Sequence, residues 1–116
     1  MDLEWIKCVG NQWCQLNRLD LTHRNIKGLD GVYILWHGKD ERVILKVGSG
    51  KIAQLLVENV DDIAVQAFEK YVLYVTWTSA PLLKRKGIEA FLFNTLSPKI
   101  KEEAPKAKPI TVNLPW

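Results

Sequence analysis

The stretch from Gly31 to Gly50 does most to limit what this chain can fold into. It holds two apolar runs rich in β-branched and aromatic residues, Val32-Tyr33-Ile34-Leu35-Trp36 and Val43-Ile44-Leu45-Lys46-Val47, joined by the polar link His37-Gly38-Lys39-Asp40-Glu41-Arg42. That pattern reads as a β-hairpin. Alternation puts Tyr33, Leu35 and His37 on one face of the first strand and Val32, Ile34 and Trp36 on the other; on the second strand Ile44 and Lys46 share a face opposite Val43, Leu45 and Val47. Gly48-Ser49-Gly50 then reads as a tight turn into Lys51-Ile52-Ala53-Gln54-Leu55-Leu56, whose periodicity is helical. The N–H groups of such a turn, at a helix start, are also candidates to meet phosphate.

The flanking sequence completes the order of elements. A helix is predicted from about Lys51 to Val60, laying Ile52, Leu55, Leu56, Val60 and Ile63 on the sheet, and Asp61-Asp62 is placed to cap a second helical turn reaching Phe68. Tyr71 to Thr78 alternates as a strand. Ser79-Ala80-Pro81 then opens a helix, with Ser79 as N-cap and Pro81 in the first turn; its apolar positions Ile88, Phe91, Leu92 and Leu96 step by three and four, and it stops before Pro98. Glu89 sits beside that stripe. Upstream, Glu4 to Val9 and Trp13 to Leu16 flank Gly10-Asn11-Gln12 as a short hairpin, with Trp5 and Trp13 available to pack on the main sheet. Asn17 to Asp30 is a polar connector tethered by Leu19, Leu21 and Ile26. The tail from Lys99 to Trp116 is expected to be extended and to pack back through its apolar residues. The fold class is therefore α+β, a small antiparallel sheet flanked by helices.

With 116 residues the chain has room for one domain. It divides into an N-terminal extension (1–28), a core (29–100) and an extended tail (101–116). The formal net charge of +3 permits nucleic-acid binding without requiring it. Basic residues gather at Lys84-Arg85-Lys86 and at Lys99, Lys101, Lys106 and Lys108, whereas Glu58, Asp61 and Asp62 make the middle helix acidic. No apolar run approaches the roughly 20 residues that span a bilayer, so no membrane partner is expected. The start, Met1-Asp2-Leu3-Glu4, is acidic where a secretory leader is basic, and a cytoplasmic location is expected. Cys8 and Cys14 are too few for a disulfide framework and are spaced for neither a redox pair nor zinc, which predicts free structural thiols. His23 and His37 lack partners at metal or catalytic spacing and read as structural or surface residues.

Gly31-Val32-Tyr33, then Lys46-Val47-Gly48, a helix, a strand, and Glu89 nine residues before Pro98 resemble the GIY-YIG endonuclease domain over roughly Leu29 to Ile100. The resemblance implies a GIY-YIG-like sandwich related to enzymes that cut one DNA strand with a single divalent metal, Mg2+ or Mn2+. It implies Tyr33 as the tyrosine that orients the nucleophile and Glu89 as the metal ligand. Lys46 stands where the second tyrosine is found, as a base or a phosphate contact. The arginine position falls at Leu55 or Leu56, and the asparagine position after Pro98 falls at Lys101. Lys46, Lys51, Lys84 and Arg85 are the candidate nucleic-acid contacts. The implied reading is altered or impaired catalysis on DNA. The alternatives are a nucleic-acid-binding module without catalysis, or a protein-interaction module built on exposed tryptophans and the proline-rich tail. Residue by residue, Tyr33 is also readable as a plain strand aromatic, Lys46 as a solvent-facing edge residue, and Glu89 as a helix residue paired with Lys86 or Arg85.

Overall fold

Pairing of the central hairpin sets the architecture. In the computed structural model, which describes residues 1–21, 26–100 and 102–116, the strands β1 (Cys14–Gln15), β2 (Asp30–His37), β3 (Val43–Lys51) and β4 (Leu73–Ser79) form one antiparallel sheet in the order β1-β4-β2-β3. His23 and Lys101 lie outside the described residues. The helices are α1 (Ile52–Asp61), α2 (Ile63–Gln66) and α3 (Leu82–Leu96). No helix among the described residues is long and apolar enough to cross a membrane.

Both faces of the sheet are covered, as the near-continuous apolar runs of β2 and β4 require. Tyr33, Leu35, Val75 and Trp77 pack with Ile52 and Leu56 of α1 and Val65 of α2. On the other face Val32, Ile34 and Trp36 pack with Ile88 and Leu92 of α3 and with Val112 of the tail. Alternation along β2 was legible because each face meets its own apolar layer.

β3 departs from simple alternation. Ile34 pairs with Val47 and Leu35 with Lys46, but Trp36 pairs with Ile44, so Leu45 is the extra residue of a β-bulge. The bulge groups Ile44 and Val47 with Trp36, leaves Leu45 and Val43 on the opposite face, and turns Lys46 to the side of Tyr33. The expectation that Lys46 shares a face with Ile44 is corrected accordingly. Gly48, Ser49 and Gly50 are strand rather than turn, because they pair with Tyr33, Val32 and Gly31.

Further corrections follow from packing. Ile63 does not extend the buried stripe of α1: that helix ends at Asp61, Ile63 opens α2 and is 87% exposed, and Asn59 holds the buried position instead. Asp62 caps α2 as expected, its side chain accepting from Ala64 N at 2.8 Å. Ser79 is not the cap of α3; its pairing with Gly31 and the bond from Ala80 N to Asp30 O keep it in β4, and Pro81 takes the cap position. The early hairpin reduces to a single bridge between Cys8 and Gln12, with β1 pairing to β4 instead. Cys8 and Cys14 are joined in a disulfide, not free.

The tail is a strap. It runs along α3, where Ile110 N donates to Gly87 O at 2.9 Å and a Cβ at Gly87 would lie 2.7 Å from Ile110 Cδ1. It then binds the N-terminal segment through Asn113, which accepts from Leu3 N and Trp5 Nε1 and donates to Leu3 O. Trp36 is buried against Trp13 and Trp116, Trp77 is buried on the other face, and Trp5 and Trp13 are half-buried. Two of the five tryptophans, Trp36 and Trp77, are thus core residues rather than exposed ones. Only Trp116 is appreciably open, at 38%, and Arg42 stacks over it.

Candidate active-site cleft

β3 is an edge strand, and among the described residues its edge is covered at its beginning, where Lys99 N and Ile100 N donate to Ile44 O at 3.0 Å and Leu45 O at 2.9 Å. Beyond that point the edge opens into a cleft of about 180 Å³ between α1 and α3. Tyr33 from β2, Lys46 and Ser49 from β3, Leu55 and Asn59 from α1, and Glu89 from α3 line it, with Glu58, Lys86 and Glu102 around them.

Tyr33 reaches the cleft because it pairs with a glycine. A Cβ at Gly48 would lie 2.6 Å from Tyr33 Cε1, so only glycine lets the ring lie across the edge strand. The phenol oxygen accepts from Asn59 Nδ2 at 3.0 Å, and the second hydrogen of that amide goes to Leu55 O at 2.8 Å. Burial pushes the phenol pKa up to about 12, against the opposing effects of the Asn59 bond and the Lys46 charge.

Lys46 is nearly enclosed, its side chain 13% exposed, and its Nζ pairs with Glu102 Oε1 at 2.9 Å and Asp62 Oδ2 at 3.3 Å. Burial favours the neutral amine, but Glu102, Tyr33 and Asp62 outweigh it and the pKa is raised. Lys46 is thus a fixed cation rather than a base. Asp62 lies below the usual carboxylate range, chiefly through the Ala64 N–H, with burial opposing and Lys46 reinforcing that shift. The reading of Lys46 as a solvent-facing edge residue does not hold, because the bulge turns it inward.

Glu89 is 12% exposed, and its Oε1 accepts both from Ser49 Oγ, in a short hydrogen bond, and from Lys86 Nζ at 3.2 Å. The pairing with Lys86 was anticipated; the Ser49 contact was not. A hard divalent cation seeks several oxygen donors. Among the described residues no group of three or more His, Cys, Asp or Glu side chains is arranged to hold a metal, and an ammonium already stands on the one carboxylate implied as ligand. The donor set at Glu89 does not fit a resident cation.

The cleft thus brings Tyr33, Lys46 and Glu89 together and leaves the other basic candidates out. Lys51, at the end of β3, and Lys84, in the first turn of α3, are exposed outside its lining. Arg85 is half-buried and donates from Nη2 to Ala80 O at 3.3 Å, closing on its own helix start. His37 stacks on Tyr71 with ring centroids 4.1 Å apart, a structural role; burial first, then Lys99 and Lys70, lower its pKa. Leu55, at one of the two positions where the resemblance places an arginine, faces the cleft without charge. Sequence reasoning missed Asn59 altogether, although a polar residue three positions after Leu56 on an apolar stripe was the available signal.

No family model matches this chain, no curated protein matches it, and no solved structure matches it.

Proposed function

We propose that this chain is a GIY-YIG-like domain, related to metal-dependent DNA endonucleases, that engages a DNA backbone but has impaired cleavage. The observation that carries this reading is the convergence of Tyr33, Lys46 and Glu89, from three separate elements, on one cleft at the edge of β3. The same geometry supports impairment. A phenol with a pKa near 12 is a poor proton acceptor at neutral pH. Lys46 is held as an ammonium between two carboxylates, Leu55 offers no charge to a developing transition state, and Lys86 already neutralises Glu89. Loss of one preorganised donor costs about 10²- to 10³-fold in rate, and here the arginine, the second tyrosine and the cation site are all altered.

Backbone contact falls to the exposed Lys51 and Lys84, with Arg85 held nearer its helix. This reading goes with a cytoplasmic location, although the Cys8–Cys14 disulfide is a bond more usual in oxidising compartments and would face a reducing thiol pool there. The test is retention of labelled duplex DNA across a salt series. Affinity should fall with salt, and Lys51→Gln and Lys84→Gln should each weaken binding and reduce the logarithmic slope by about 1. Absence of retention at low salt, or an unchanged slope in both variants, would overturn the reading.

A further inference from the structure

Two residues that line the cleft, Asn59 and Tyr33, each carry a hydrogen-bonding group that the fold leaves unused. Asn59 is 1% exposed, and its Oδ1 is buried with no hydrogen-bond partner. The amide orientation follows from its neighbours: Leu55 O and Tyr33 Oη take both hydrogens of Nδ2, so the orphan is an acceptor. Because Tyr33 Oη accepts from Asn59, its own O–H remains to donate, and the raised pKa keeps that proton in place. Buried polar groups are ordinarily paired, and an orphan acceptor beside an available donor marks a place for a ligand with the complementary edge.

The surroundings select its chemistry. Glu58, Glu89 and Glu102 outnumber Lys46 and Lys86 in the lining, so an anionic phosphate is disfavoured at this depth, whereas N–H donors are welcome. At about 180 Å³ the cleft is smaller than a site for a drug-sized ligand and suits one planar ring. We infer that the cleft receives the edge of a single unpaired nucleobase, guanine in preference to the others. The guanine N1–H and amino group supply donors for Asn59 Oδ1 and the carboxylates, and O6 accepts from the Tyr33 phenol. This inference rests on the reading of the domain as DNA-binding and assigns Asn59 and Tyr33 to base recognition.

The experiment measures anisotropy of labelled short oligodeoxyadenylates that differ only at one central position, dG, dC or an abasic residue. The expected result is that dG binds about tenfold more tightly than the abasic strand, the worth of roughly one good hydrogen bond. Tyr33→Phe, which deletes only the phenol oxygen, should bring that ratio close to one, and guanosine monophosphate should shift the Asn59 side-chain amide resonances of the wild-type protein. Equal binding of all strands would overturn base recognition and leave backbone binding standing. Binding to none would overturn both. A dG preference that persists in Tyr33→Phe would remove the assignment to this cleft.

Discussion

Asn59 and Tyr33 show how one buried pair fixes a site. The Asn59 amide spans α1 and β2, and the cost of breaking a buried hydrogen bond of this kind is about 1–3 kcal/mol. The Tyr33 phenol gives a direct readout. Its folded pKa of about 12 lies above the ordinary value of 10.0, so its contribution to stability is fully present below pH 10 and is lost as pH climbs from there to about 12. That shift corresponds to roughly 2–3 kcal/mol. Of the three tyrosines, Tyr33 should therefore ionise late in a tyrosinate absorbance titration, and Tyr33→Phe should remove that late step. A titration in which no tyrosine departs from the ordinary range would refute the burial assigned to it. In the sequence, Tyr33 was visible as a strand aromatic next to a glycine motif. Asn59 was visible only as a polar residue at a stripe position, a signal that is missed when periodicity counts apolar residues and passes over a polar one that takes a buried position through hydrogen bonds.

At the scale of elements, the bulge in β3 determines what the cleft contains. One extra residue, Leu45, reverses the facing of everything after it, and Lys46 arrives beside Tyr33 only for that reason. Alternation in sequence carries no mark of such an insertion, which is why the hairpin and its faces on β2 were readable while the facing of Lys46 was not. The stripe of α3 was readable because Ile88 and Leu92 are both packed into the core, and the cap at Asp62 because an Asp ahead of a short helix has a local partner. Ser79 misled because strand pairing with Gly31 outweighed its capping preference. Gly48→Ala tests the element-level geometry: the added methyl meets the Tyr33 ring, so the ring must move and release Asn59. The expected loss is about 1–3 kcal/mol in urea denaturation. An unchanged midpoint would mean that the ring does not cross the strand as described.

For the molecule as a whole, the termini do much of the closing. The strap from Lys108 to Trp116 and the N-terminal segment tie to each other through Asn113, and the Cys8–Cys14 disulfide fastens the start of the chain to β1. The sequence suggested that the tail packs back, but its reading of the two cysteines as free thiols was wrong, because their spacing matches no framework motif and only the fold brings them to 5.1 Å between Cα atoms. Closing so short a loop is worth about 2 kcal/mol, so reduction should lower Tm by roughly 8 °C. Cys8 is exposed while Cys14 is buried, which gives a reductant access from one side. An equal Tm with and without a phosphine reductant would show that the bond does not constrain the fold.

Convergence of Tyr33, Lys46 and Glu89 on one cleft, with impaired cutting, is tested most directly by incubating the protein with labelled duplex, nicked and branched DNA at low salt with magnesium or manganese, beside a Glu89→Ala variant. The predicted result is DNA that is bound but not cut above the level of the variant. Metal-dependent nicking that Glu89→Ala abolishes would contradict it and make the cleft a working nuclease site.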